Sequence, residues 1–375
     1  MIQAFVPKNR LTPYMGDAGA SSVSMATVFG AASSSCSFAA LSTARALVLK
    51  GAHFVAAVAF MFASTNLVIE LGILIVIFLG WTFLAAEITG GLMMIAISTL
   101  LIRLTCPRDL FQRARERVEA RDPGAEEDFD WRERIRSRAG WYRVGRRFVA
   151  EWAMVWEEIL IGFTVAGFMA VFVPTSAWEA IFMAGAGTDL PGWIVAVENA
   201  LVAPIVAAAT FIGSMGNIPL ATVLNANGVL FAGIMAFIYS DLMVPPLVLI
   251  NARYYGWRMA LYIAGVMYVS IVATALTMHL GFGLLDITPR SARAVDDVVR
   301  FALDYTFFLN LLFAGIAALL VWLATRPSRQ ASSSEGHDMD HGDNGPGAKR
   351  LFAIAALVLL VGGLLAHALM GGSAG

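Results

Sequence analysis

Charge is what this 375-residue chain has least of. Only 14% of its residues are charged against 58% hydrophobic, and its mean hydropathy is +0.72. A water-soluble globule needs a polar shell that so few charges cannot supply. Cysteine is scarce too: Cys36 lies inside one apolar run and Cys106 at the end of another, which excludes a disulfide framework. The chain lacks a glycine-rich nucleotide fingerprint, so it is not expected to contain its own ATP-driven motor. No basic face suits nucleic acid outside one loop, and the net charge of -1 says little because the charges are so unevenly placed. What remains is an all-α polytopic membrane protein with the lipid bilayer as its partner.

Apolar runs near 20–49, 52–79, 81–103, 152–173, 193–227, 228–250, 257–281, 301–325 and 351–370 predict about nine transmembrane spans. The long polar insert between them, 104–150, is rich in arginine and by the positive-inside rule faces the cytoplasm. If every run crosses once, 18 of the 26 Lys and Arg residues lie on that side, while Arg253 and Arg258 lie on the other. Within the insert, Trp131 to Phe148 alternates Arg with Trp131, Ile135, Trp141, Tyr142 and Phe148. That mixture fits either an amphipathic helix on anionic lipid or a solvated linker with Arg–acid pairs.

Two stretches resemble each other at a fixed offset of 177. Cys36-Ser37-Phe38-Ala39 falls on Gly213-Ser214-Met215-Gly216, Ala44 on Ala221, Leu47 on Leu224, Gly51 on Gly228 and Ala59-Phe60 on Ala236-Phe237. With the offset one shorter, Gly80-Trp81 meets Gly256-Trp257. A register held this long predicts an internal repeat: 1–103 as the first transmembrane repeat, 104–150 as the cytoplasmic loop, 151–281 as the second repeat, and 282–375 as two further spans around a polar loop at 326–350. Phe172-Val173-Pro174 follows a full span, whereas the matching Phe5-Val6-Pro7 does not, so the first repeat reads as lacking one N-terminal helix. With that helix restored there are ten spans, and the two halves are expected to lie parallel.

The run Trp193 to Asn227 is far longer than one crossing needs, and Gly213, Gly216 and Pro219 sit at its centre. The helix is therefore expected to break inside the membrane, and so is its counterpart around Cys36. Unwound backbone at that depth survives only where protein or a cavity satisfies it, and paired broken helices mark a transporter's binding site. Cys36, Ser37, Gly213, Ser214, Gly216, Asn217 and Pro219 are the expected substrate-binding residues. Acids inside spans are costly and functional by default, which makes Asp241, Glu70, Glu87, Glu158 and Glu198 candidates for coupling to an ion gradient. Interhelical hydrogen bonding competes as an explanation for Glu87 and Glu158, and an interfacial position for Glu198. In the 326–350 loop, His337, Asp338, Asp340 and His341 have spacing that suits a borderline metal, or are simply a flexible polar stretch.

The pattern GSMGNIPLATVLNANG, followed by AFIYSDLMVPP and ARYYGW, resembles the second signature of the predicted permeases of the ArsP type, and CSFAALSTARALVLKG followed by AFMFAS resembles the first. The resemblance implies a permease of the bacterial inner membrane that exports a small toxic solute, such as a trivalent organoarsenical or another metalloid species, with no cofactor. It departs from the arsenical-exporting branch where that branch carries Cys-Ser-Cys-Gly: only Cys36 and Ser37 match, Phe38 and Ala39 replace the rest, and Gly213 stands where another Cys is common. A membrane-embedded enzyme or a passive channel using the same carboxylates is the alternative.

Overall fold

A computed structural model describes residues 15–17, 19–33, 37–49, 51–121, 172–183, 190–210 and 212–289, with short pieces at 141–149, 164–168 and 315–322. Its elements are helical. In chain order they are α1 (Ala20–Ser33), α2 (Ser37–Leu49), α3 (Phe54–Asn66), α4 (Ile69–Phe78), α5 (Trp81–Thr105), α6 (Arg108–Arg121), α7 (Thr175–Phe182), α8 (Gly192–Thr210), α9 (Ser214–Ala226) and α10 (Phe231–Ile238). A 3₁₀ turn (Tyr239–Met243), α11 (Pro245–Tyr255) and α12 (Trp257–Leu284) complete them.

Among the described residues three helices, α5, α8 and α12, are long and apolar enough to cross a membrane. Two pairs raise this to five: α3 with α4, and α10 and its 3₁₀ turn with α11, each bent by 42°. The causes of the two bends differ. In α3 the side chains of Ser64, Thr65 and Asn66 hydrogen-bond back to Met61 O and Phe62 O, which competes with continuing the helix. In the other pair, Pro245 and Pro246 open a new helix and hold Val244 extended at φ -60°, ψ 139°. Apolar side chains left exposed, such as Leu104, Leu261 and Leu284, are those a bilayer would cover, and Trp81 and Trp257 stand at span ends where aromatic residues favour the membrane interface.

Side-chain contacts give the relative directions of the spans. At one end, Phe111 of α6 stacks on His53 with ring centroids 5.6 Å apart, and Phe54 packs edge-on to Tyr255 at 6.0 Å. Thr105 meets the Tyr262 hydroxyl at 2.8 Å, and the Arg117 guanidinium lies against Gly256, 2.6 Å from where a Cβ would stand. That glycine's φ of +89° is one an L side chain rarely adopts. At the other end Phe231 packs against both Phe83 and Phe282, with centroids 5.4 and 5.2 Å apart. Helices α5 and α12 are therefore antiparallel, and so are the two bent spans.

The segments 20–49 and 193–227 do not cross as the single-crossing expectation had them. Helix α1 starts beside His53, whose N–H donates to Met15 O at 2.7 Å, and runs alongside α3 until Gly30 packs against Phe60, Ala63 and Ser64. Helix α2 then returns to Gly51 on the face it came from. At 14 residues α1 is only about 21 Å long, short of a crossing. Helices α8 and α9 pair the same way from the opposite face, although α8, at 19 residues, is itself long enough to cross and begins about 10 Å outside the level of Leu230. Asn199 Oδ1 accepts from Leu230 N–H at 2.9 Å, Ser214 reaches Asp241 in the middle of the bent span, and α9 comes back to Gly228.

Both segments are thus hairpins that enter to half depth from opposite faces, and the halves run antiparallel rather than parallel. Arg253 and Arg258 flank the turn beneath Arg117, so they join the face of the arginine-rich insert, and α12 ends on the other face. The expected span 351–370, most of 301–325 and of 152–173, and the residues before Met15 lie outside the described residues.

Candidate functional site at the hairpin tips

Helices α2 and α9 both begin with serine, at Ser37 and Ser214, and both begin at half depth. The two hydroxyls are 3.2 Å apart, and Ser214 donates to Asp241 Oδ2 at 2.6 Å. Asp241 is fully buried in the 3₁₀ turn between α10 and α11. The contact arises because each hairpin must reverse where small residues let the backbones approach, and because Pro245-Pro246 start a new helix just after the 3₁₀ turn that carries the carboxylate.

The start of α9 is polar backbone inside the protein. Gly213 precedes it in extended conformation, and no side chain caps it, so the first-turn N–H groups point toward the tip. Pro219 has no N–H for the Met215 carbonyl one turn back. Asn217 is fully buried, and neither its Oδ1 nor its Nδ2 has a hydrogen-bond partner among the described residues. An amide left like that costs free energy unless a ligand or water completes it. Gly213, Ser214, Gly216, Asn217 and Pro219 thus lie at the N-cap and along the first turns of α9, and Ser37 meets Ser214 across the tip. Cys36 lies outside the described residues.

The acids separate clearly. Glu87 is 1% exposed on α5, with neither carboxyl oxygen hydrogen-bonded among the described residues. Glu198 is half-buried near the outer end of α8 and accepts from Asn199 Nδ2 at 2.8 Å. Glu70 is exposed on the first turn of α4. Glu158 and the His337, Asp338, Asp340, His341 group are not among the described residues. Within the described residues, no group of three or more His, Cys, Asp or Glu side chains converges on a metal position.

Several residues at or near the site carried no sequence signal. Tyr239 is fully buried and donates to Ala86 O at 2.8 Å, tying the 3₁₀ turn to α5. Gly90 makes this possible, because the phenol occupies the place of its missing Cβ. Asn199 knots α7, α8 and α10 together through Phe182 O at 2.5 Å and Leu230 N. Ser270 and Thr274 of α12 are fully buried with hydroxyls that have no partner among the described residues. Arg45, in the return arm of the first hairpin, lies over the Tyr254 ring at 4.5 Å. An aromatic or amide inside an apolar run looks like core until its partner is known.

Residues 1–280 match the ArsP-type family described as a predicted permease. The chain is also 38% identical over 327 residues to the protein named "Putative permease Rv2963" of Mycobacterium tuberculosis (strain ATCC 25618 / H37Rv), covering 84% of this chain and 79% of that relative. No solved structure matches it.

Proposed function

Because the chain belongs to this family of predicted permeases, we propose that it is a gradient-coupled exporter of a small toxic solute, an organoarsenical or other metalloid species, in the bacterial inner membrane. The substrate sits where the hairpins meet, held by Ser37, Ser214, Asn217, the backbone around Gly213, Gly216 and Pro219, and the thiol of Cys36. One half rocks against the other, so the tips open toward each face in turn, and the two halves are copies of one ancestral unit. The observation that carries this reading is the hydrogen-bonded chain from Ser37 through half-buried Ser214 to fully buried Asp241. A carboxylate, two hydroxyls and an uncapped helix start lie together at half depth, where polar groups are costly without a ligand.

The reading is tested by transport in everted membrane vesicles, using a trivalent organoarsenical and arsenite as separate probes, with and without a pH gradient. Wild type should accumulate the organoarsenical. Gly216→Leu fills the space beside the α9 backbone and should abolish accumulation while the protein still inserts. Asp241→Asn should remove the dependence on the gradient more than it weakens binding. Accumulation equal to empty vesicles for every arsenical and metal ion tried would sink the export assignment.

A further inference from the structure

The fold carries Arg253 and Arg258 to the face of the arginine-rich insert, where they meet α6. That helix packs on α2, α11 and α12, anchored by Phe111 against His53 and Phe54 and by buried Ala114. Arg117 follows Ala114 by three residues and so shares its side of the helix. Its guanidinium lies over the turn between α11 and α12, with Nη1 2.6 Å from the place of a Cβ on Gly256. Arg253 is in the last turn of α11, three residues before that glycine, and Arg258 is in the first turn of α12, two residues after it. All three side chains are exposed, as are Arg103 near the end of α5 and Arg113 on α6. Among the described side chains the exposed acids at this end are Asp17 and Glu116, and Asp17 is engaged by the Ser22 hydroxyl and Gly19 N–H.

An apolar flank begins directly beneath these cations. Trp257, beside Arg258, is 58% exposed, and Leu261, one turn deeper on the same side of α12, is 61% exposed. A tryptophan at a span end marks the level of the headgroups. We propose that the turn at Gly256, with Arg117, Arg253 and Arg258, binds the phosphodiester headgroup of an anionic phospholipid in the leaflet on the insert side, its acyl chains lying along Trp257 and Leu261. The guanidinium fork matches phosphate oxygens in geometry as well as charge, and like charges gathered around one turn repel until an anion lies between them. A soluble acidic partner makes no use of the apolar flank, and a zwitterionic lipid brings no net charge to the arginines.

Native mass spectrometry of the purified full-length protein in detergent, titrated with phosphatidylglycerol or with phosphatidylcholine of the same acyl chains, reads the lipid retained. Phosphatidylglycerol should be retained in preference. Arg117→Gln and Arg258→Gln should each weaken its retention about fivefold and leave phosphatidylcholine unchanged. Arg290→Gln, six residues past the far end of α12, controls for lost charge and should bind as wild type does. Equal retention of the two lipids, variants that bind like wild type, or a control weakened as much as they are overturns the site. Complete displacement of the lipid by inorganic phosphate would also overturn it, making the arginines a site for a free anion. So would retention that appears only after Glu126→Gln, Glu127→Gln, Asp128→Asn and Asp130→Asn, which would give the surface to the chain's own acidic stretch. If Arg117→Gln is not recovered folded, Arg258→Gln must weaken retention by itself, or the site fails. The readout needs no transported solute, so its outcome leaves the permease reading where it stands.

Discussion

The Ser37 and Ser214 hydroxyls touch at 3.2 Å although 177 residues separate them in the chain. That separation equals the offset at which the two halves of the sequence align. Each serine opens the return arm of a hairpin, and the hairpins arrive from opposite faces. Cysteines placed at both positions, in a background with Cys36→Ser, should form a disulfide on mild oxidation. Mass spectrometry of the linked peptide reads the result. Monomeric peptides throughout, as in the single-cysteine controls, would mean the tips do not meet.

Gly90→Ala puts a methyl group where the Tyr239 phenol lies. Overpacking at such a site costs about 1–3 kcal/mol, which should appear as a lower Tm in detergent. Adding Tyr239→Phe removes the closest atom and should restore part of the loss. A double variant no more stable than Gly90→Ala alone would remove the packing argument.

Cysteine replacements at Arg117 and Arg258 should react with an impermeant thiol reagent from the same side of sealed vesicles, and one at Trp81 from the other. This follows from Arg117 lying against Gly256 and from Phe83 lying at the opposite end with Phe231 and Phe282. Labelling of Arg117→Cys and Arg258→Cys from opposite sides would restore the single-crossing topology.

His53 stands just outside the first bent span and caps it, its Nδ1 accepting from Val55 N–H at 3.2 Å. Partial burial pushes its pKa below the ordinary 6.5; Asp17 pulls it back up and Arg103 adds to the depression. The neutral ring is the one that caps, and the unfolded chain takes up the proton first. Stability is therefore full above about pH 6.5 and falls as pH drops toward the folded value. Asp17, held low chiefly by the Ser22 hydroxyl, adds its own loss only below 3.8. His53→Asn keeps a capping side chain without the titration, so its Tm should vary less than that of wild type from about pH 7 to about pH 5. Parallel curves for the two proteins would show that His53 is not the titrating group.

Much of this was legible in the sequence. The runs at 81–103 and 257–281 became α5 and α12 nearly to the residue, and the glycines around 213 do mark a break between α8 and α9. Direction was not legible. A run of apolar residues with a break at its centre has the same hydropathy whether the chain continues across or turns back. The difference lies in contacts such as Met15 with His53, which no local pattern encodes. Asp241 stood out because a carboxylate in an apolar run is rare, whereas Tyr239 did not, because its role depends on a missing Cβ on another helix. Glu70 had the same sequence credentials as Glu87, yet one is exposed and the other buried. Which face of a membrane helix looks inward is decided by its neighbours.

The position that corresponds to Asp241 in the first half is Ser64, whose hydroxyl donates to Met61 O within its own helix. A carboxylate latch thus grips the tip of the second hairpin, and its counterpart in the first half is a serine turned back on its own helix. If the halves exchange shapes during a transport cycle, the latch is made in one arrangement and released in the other, so the two arrangements differ in free energy. Such an imbalance sets where the empty protein idles, and it cannot by itself push solute uphill, because a population preference performs no net work around a closed cycle. On the proposed alternating-access reading, a single acid sets the idling orientation, and the direction of travel comes from outside it.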